Sequence, residues 1–213
     1  MKVTSIQLGE IRKIQYLNQI AESGIFKFQI SGSAKLKFLG FEGDQQADLS
    51  VHGGRDKAVY AYSFDAYSAW RSERPKDQFE NGAMGENLTM DILKEGELCI
   101  GDSFKLGSTI IQVSEPRFPC FKLGMKFKDP SIIKQFMKIG RPGVYFRVLQ
   151  EGVVASGEAL ELMEREKKLV SVLELFNFNS SAVDHELLAR LASVKSLSES
   201  WKRKLERFKS KTN

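Results

Sequence analysis

The stretch Glu115-Pro116-Arg117-Phe118-Pro119-Cys120-Phe121-Lys122-Leu123-Gly124 joins a strand to a helix. It follows the apolar, β-branched run Thr109 to Val113, which predicts a strand. Two prolines and an arginine then turn the chain. Pro119 suits the first helical position, where its missing N–H costs nothing, and this puts Cys120 in the first helical turn. Free N–H groups there, with the Arg117 charge nearby, favour a thiolate, the form that attacks carbon or binds soft metals. A cysteine without such a role is a small buried hydrophobe. Cys99, between Leu98 and Ile100 in an alternating run from Glu97 to Leu106, fits that second description and is assigned to structure.

Upstream, Met1 to Leu8 and Lys35 to Leu39 alternate as strands do. Between them, Ser23-Gly24-Ile25-Phe26-Lys27 offers backbone N–H groups and a lysine, a loop able to hold a phosphate. The segment from Phe41 to Lys57 carries Asp44, Asp48, His52, Gly53, Gly54, Arg55 and Lys57, side chains that resist burial. The double glycine lets the backbone approach a ligand, while His52, Arg55 and Lys57 supply cationic or hydrogen-bonding groups suited to an anion.

Ala58 to Ser63 is a strand by composition, and Phe64, Tyr67 and Trp70 are spaced for one face of a short helix. Arg71 to Glu80 is a solvated connection. Gly82-Ala83-Met84-Gly85-Glu86-Asn87-Leu88 is a glycine-flanked turn exposing Glu86 and Asn87 ahead of a strand, Leu88 to Met90. Asn87 either caps a loop or reads the edge of a heterocycle. Downstream, Pro130 to Ile139 predicts a helix closed by Gly140, and Val144 to Leu149 returns through Glu151-Gly152 toward Leu162 as a hairpin.

Composition changes near Glu164. Beyond a charged linker, Glu164 to Lys168, three amphipathic patterns follow: Leu169, Val172, Leu173, Phe176; Leu187, Leu188, Leu191, Val194; and Trp201, Leu205, Phe208. Ser181 with Asp184, and Ser196 with Glu199, stand at or near capping-box spacing. The expected fold is therefore mixed and β-rich α+β: a β-barrel or folded sheet over 1–164, with a small three-helix appendix over 165–213.

A chain of 213 residues can bury roughly 70 % of its unfolded surface without a staple. Two cysteines make no disulfide framework, the start lacks a signal-peptide core, and no apolar run is long enough to span a membrane, so a soluble, cytoplasmic protein is expected. The net charge of +5 owes much to Lys202, Arg203, Lys204, Arg207, Lys209 and Lys211, read as solvation of a terminal helix rather than a nucleic-acid footprint.

Together, Gly43-Asp44-x-x-Ala47-Asp48-x-x-Val51-His52-Gly53-Gly54-x-x-Lys57-Ala58-Val59-Tyr60, the Gly82 to Leu88 turn and Pro116-Arg117-x-Pro119-Cys120-x-Lys122-Leu123 resemble the MOSC domain family. Ser23 to Lys27, the Gly140-Arg141-Pro142-Gly143-Val144-Tyr145-Phe146-Arg147 run and the three terminal helices further resemble its YiiM-like subfamily. Two departures stand out: Asp65-Ala66-Tyr67 where the subfamily has Glu-His-Tyr, and Met84 where it has Phe.

The resemblance implies a MOSC-type β-barrel that binds molybdenum cofactor, with Cys120 as the metal's protein ligand. It implies catalytic roles for Cys120, Arg117 and His52, and cofactor contacts from Ser23, Lys27, His52, Gly53, Gly54, Lys57, Asn87 and Arg117. Arg141 is assigned to substrate. The implied reaction reduces N-hydroxylated compounds, such as hydroxylamino-purines and amidoximes, with electrons from a separate flavin or iron–sulfur reductase. No membrane or specific nucleic acid is expected as partner, and a homodimer is compatible with the sequence. Two other readings remain: a carrier of the cofactor or of sulfur without turnover, and a metal-free thiol enzyme with Cys120 as nucleophile and His52 as its base.

Overall fold

The protein was analysed as a computed structural model, which describes residues 1–49, 52–167, 169–178 and 185–212. Its strands are β1 (Val3–Leu8), β2 (Arg12–Tyr16), β3 (Gln19–Ser23), β4 (Phe28–Gln29), β5 (Ser33–Lys37), β6 (Gly40–Phe41), β7 (Val59–Ser63), β8 (Leu88–Met90), β9 (Ser103–Leu106), β10 (Thr109–Pro116), β11 (Val144–Gln150), β12 (Gly152–Ala155) and β13 (Glu161–Glu164). Its helices are α1 (Ala66–Glu73), α2 (Phe121–Phe127), α3 (Ser131–Ile139), α4 (Val172–Phe178), α5 (His185–Ser193) and α6 (Glu199–Thr212), with a 3-10 turn at Arg55–Lys57. The architecture is a sheet-rich α+β fold with a small helical region at its C-terminal end.

The main sheet runs β13-β9-β10-β11-β7-β8-β1-β4, with β7 and β8 parallel and the other neighbours antiparallel. Central β7 is buried along its length, whereas β13 is exposed and acidic, as suits an edge. The ladder stays open. Its ends approach one another through a bridge between Lys2 and Ala159 and a bond from Leu160 N to Met1 O at 3.0 Å. In place of the expected closed barrel, the described strands form a sheet that folds back toward its own start.

Several local expectations change. The Glu151-Gly152 bend does not make a hairpin, because β12 leaves β11 and pairs with β5 in the small sheet β12-β5-β6. A Cβ on Gly152 would sit 2.7 Å from Ser108 O, so only glycine lets the chain cross there. The β2–β3 hairpin, turning at Leu17 with φ +52°, had no signal of its own. The run around Cys99 is not one strand: Gly101 takes φ +96°, Asp102 accepts Cys99 N–H at 3.1 Å, and β9 starts only at Ser103. Phe64 lies ahead of α1 and stays exposed, while Tyr67 and Trp70 are buried as expected. Arg71 to Glu80 is less solvated than its charges suggest, since Phe79 is buried and Arg74 binds Asp129 at 2.8 Å.

In the terminal region, α4 buries Val172, Leu175, Phe176 and Phe178 while Leu169 is exposed, so its stripe is shifted from the expected one. Ser198, not Ser196, caps α6: its carbonyl accepts Trp201 N–H at 3.0 Å, and Ser196 instead bonds Glu166. The Ser181–Asp184 pair lies outside the described residues. Val172, Leu175, Leu191, Trp201 and Leu205 share one core with Val113, Val144 and Phe146 of the sheet. A second, aromatic core gathers Tyr60, Tyr62, Tyr67, Trp70, Phe79, Phe136 and Phe176.

Between these cores lies Glu86, expected to be exposed and in fact fully buried. Its carboxylate accepts from Tyr67 OH at 2.5 Å, Gly82 N at 2.7 Å, Thr89 Oγ1 at 2.9 Å and Met84 N at 3.1 Å. A buried charge is tolerable when every lone pair is used, and here α1, the Gly82 turn and β8 all supply donors. Removing it strands four donors at once. Glu86→Ala should cost about 3 kcal/mol or more in urea unfolding, well beyond an exposed Glu→Ala change.

Candidate active site

The end of β10 delivers the central residues. Arg117 is buried; its guanidinium donates to Met84 O at 2.7 Å and lies 4.9 Å from the Tyr60 ring centre and 5.4 Å from that of Phe136. Cys120 follows as the N-cap of α2 in extended conformation, φ −118° and ψ 171°, one position earlier than the first helical turn expected for it. The chain straightens through Pro119 before it coils, so Phe121 is the first helical residue. Cys120 is half-buried and Cys99 buried, where burial first of all raises the Cys99 thiol pKa.

Around Cys120 opens a cleft. Loops from five places converge on it, carrying Ser23 to Ile25 and Lys27, Asp44 to Ala47, His52 and Lys57, Gly85 and Asn87, and Phe118, Cys120 and Lys122, with Tyr60 and Tyr145 from β7 and β11. The fit between loops is tight. A Cβ on Gly24 would lie 2.1 Å from Gln45 O, and one on Gly85, at φ +82°, would lie 2.8 Å from Ile25 Cγ1. Lys126 of α2 secures the same two loops, donating to Ile25 O at 3.2 Å and Gly82 O at 3.0 Å; burial lowers its pKa to about 8.

The cations are individually arranged. Lys27 pairs with Asp44, whose second oxygen accepts Asn87 Nδ2 at 2.9 Å. Burial lowers the Lys27 pKa and Asp44 opposes this. Lys57 lies 3.1 Å from Glu115. His52 is not a cation at neutral pH: burial first, then Lys122, Lys57 and Arg117, lower its pKa to about 4 against the pull of Asp48. It offers a neutral ring. Burial also raises the phenols, Tyr145 to about 12 and Tyr60 well above its usual value, so both keep their protons.

Of the residues singled out from sequence, Ser23, Lys27, His52, Lys57, Asn87, Arg117 and Cys120 meet at this cleft. Gly53 and Gly54 stand behind it: a Cβ on Gly53 would strike Gln46 Oε1 at 2.1 Å, and Gly54 takes φ +82°. Arg141 is elsewhere, binding Asp65 at 2.9 Å, Glu95 at 3.1 Å and Leu93 O at 3.1 Å. The Gly140 to Arg147 run serves the cleft directly through Tyr145 and indirectly through Pro142, whose O accepts Tyr60 OH at 2.9 Å. Ala66, in place of the subfamily histidine, is buried in the aromatic core and does not face the cleft. Asp44, Tyr60, Phe118, Lys122 and Tyr145 were not chosen from sequence, although Lys122 lies two residues from Cys120.

The MOSC domain model matches residues 48–161, and the model for the YiiM-like 3-alpha helix domain matches residues 178–207. The chain belongs to the MOSC family. Protein YflK of Bacillus subtilis is 41 % identical over 203 residues, covering 94 % of this chain and 90 % of YflK. A fungal protein named "Reductase", from Gibberella moniliformis, is 39 % identical over 173 residues, covering 80 % of this chain but only 30 % of the longer fungal one. The crystal structure of YiiM from Geobacillus stearothermophilus superposes with a TM-score of 0.79 at 30 % identity, covering 97 % of each chain. Among the described residues no helix is long and apolar enough to cross a membrane.

The electrostatics of this MOSC cleft can be checked through His52. Its folded pKa lies below its unfolded value of 6.5, so the unfolded state binds the proton first as pH falls. The stability it contributes is complete above pH 6.5 and is lost as pH falls toward 4. In a side-chain NMR titration the His52 ring, assigned by its loss in His52→Gln, should titrate near pH 4; a midpoint near 6.5 would remove the case for a cation-crowded cleft.

Proposed function

We propose that this MOSC protein is a molybdenum cofactor-dependent oxidoreductase that reduces N-hydroxylated compounds, with Cys120 as the metal's protein ligand. The observation that carries the proposal is the donor set. One half-buried thiol faces a cleft ringed by Lys27, Lys57, Arg117 and Lys122. Among the described residues no three His, Cys, Asp or Glu side chains are placed to hold a metal ion. Such a set suits an anionic complex that brings its own sulfur and oxygen ligands, rather than a bare cation.

MOSC domains are in general associated with molybdenum cofactor binding. In this cleft, Cys120 would ligate the metal, while Ser23, Lys27 and the backbone of Gly24 would receive the cofactor phosphate. When bound, the cofactor would supply two-electron chemistry, by which an N–OH group takes two electrons and two protons to give N–H and water. Arg117, locked by Met84 O and Tyr60, holds a fixed positive charge near Cys120. Neutral His52 and the protonated phenols of Tyr60 and Tyr145 can donate or accept hydrogen bonds without adding negative charge. The electrons would come from a separate flavin or iron–sulfur reductase. The fungal relative's name and its additional length fit a chain in which such a partner is covalently attached.

Two features disfavour the metal-free thiol enzyme. A ring with a pKa near 4 is a weak base, and no hydrogen bond joins His52 to Cys120 among the described residues. A carrier without turnover differs from the proposal only in activity.

Elemental mass spectrometry for molybdenum, with pterin fluorescence, tests the proposal on protein made in a host that synthesises the cofactor. Near-stoichiometric metal and pterin are expected, with metal lost in Cys120→Ala. Loaded protein should then convert a hydroxylamino-purine or an amidoxime when a flavin reductase is supplied. Metal-free wild-type protein would overturn the proposal, and loaded protein inert with every donor would leave the carrier.

A further inference from the structure

Strand β11 sends alternate side chains to opposite faces: Val144 and Phe146 enter the core of the sheet, and Tyr145 between them faces the cleft. Its backbone is fixed on both sides. Tyr145 stands opposite Tyr60 of β7 and Glu115 of β10, and its carbonyl accepts Ser114 Oγ at 2.9 Å. The two phenol rings lie 5.1 Å apart, yet their hydroxyls differ. Tyr60 gives its proton to Pro142 O at 2.9 Å, and its oxygen accepts from Arg117 Nη1 at 3.4 Å. Gly143, at φ +67°, permits this, since a Cβ there would lie 2.8 Å from Tyr60 Cε2. Asn87 is committed as well, its amide donating to Asp44 at 2.9 Å and to Gln7 O at 3.3 Å. The Tyr145 hydroxyl, by contrast, has no hydrogen-bond partner among the described residues, although the residue is partly buried. A phenol so placed usually finds one. Burial raises its pKa to about 12, with Glu115 and Cys120 adding to the rise and Arg117 opposing it, so the proton stays in place at neutral pH.

We propose that Tyr145 is a ligand-contacting residue, whose hydroxyl donates a hydrogen bond to an oxygen of the group bound beside Cys120. This rests on the molybdenum reading of the cleft. Two sources would offer such an oxygen: the N–OH group of the substrate and the cofactor itself. Either suits a rigid, neutral donor. Donating costs Tyr145 no bond inside the protein, whereas Tyr60 or Asn87 would first have to give up Pro142 or Asp44. The ring is already held between strands, so little freedom is lost when a ligand binds. From the substrate side, this bond would favour the N-hydroxylated compound over the amine formed from it, which lacks the oxygen. Tyr145 then separates substrate from product by one hydrogen bond.

The test compares wild type with Tyr145→Phe, both made in a host that synthesises the cofactor. A hydroxylamino-purine and the corresponding aminopurine are titrated by calorimetry without an electron donor, so that only binding is read. If the oxygen is the substrate's, the variant should keep its molybdenum and bind the hydroxylamino-purine about three- to tenfold more weakly, with the aminopurine unaffected. If it is the cofactor's, the molybdenum content of the variant should fall severalfold. Thermal unfolding of the cofactor-free chains separates contact from damage: Tyr145→Phe should melt with wild type, whereas Tyr60→Phe, which loses the bond to Pro142, should melt lower. A lower melting temperature for Tyr145→Phe, equal weakening of both purines, or metal content and binding both unchanged overturns this inference alone. Loaded wild type that binds neither purine leaves the decision to metal content, and an unchanged content then overturns the inference. Metal-free wild type overturns the molybdenum reading and this inference with it.

Discussion

The buried carboxylate of Glu86 is the constraint on which the rest depends. Its four donors come from α1, from the Gly82 turn and from β8, so one side chain ties three elements together. Met84, fixed by its N–H to Glu86, presents its carbonyl to Arg117, so the carboxylate also sets where the cleft's most buried charge sits. An unpaired carboxylate at this depth would be intolerable, and the same desolvation makes each satisfied bond count for more. The Gly82 turn is therefore held for an electrostatic reason, although three of its seven residues are glycine or alanine.

From that turn the charge pattern continues outward. Arg117 bonds neutral oxygens, Lys27 is matched by Asp44, and Lys57 by Glu115. Every one of these pairs draws its acceptor from a different element, so the positive surface of the cleft cannot form before the sheet does. Burial first, and the neighbouring Lys122, Lys57 and Arg117 after it, keep His52 neutral where an ordinary histidine would share a proton. The cleft thus sets Lys27, Lys57, Arg117 and Lys122 around a lining that includes one sulfur.

Much of this site was legible in the sequence. Cys120 and Arg117 lie within four residues, and Ser23 with Lys27 and His52 with Lys57 are likewise local sets, so short motifs sufficed to pick out these cleft-lining residues. That Arg141 lies outside the cleft was not legible, because an arginine beside proline and glycine gives no sign of its partners, Asp65 and Glu95, which are distant in the chain. Glu86 was misjudged for the same reason: carboxylates are usually exposed, and only nonlocal donors can reverse that rule.

What the sequence by itself determined is the set of local elements and the chemistry of the turn at Cys120, since propensity, glycine and proline placement and apolar spacing act over a few residues. Only the tertiary structure decided that β12 leaves β11 for β5, that Tyr60 and Tyr145 face the cleft, and that α6 reaches it through Glu115. Strand partners and the facing of a buried strand follow from which surfaces meet, and β7, buried on both faces, carries no alternation to announce them.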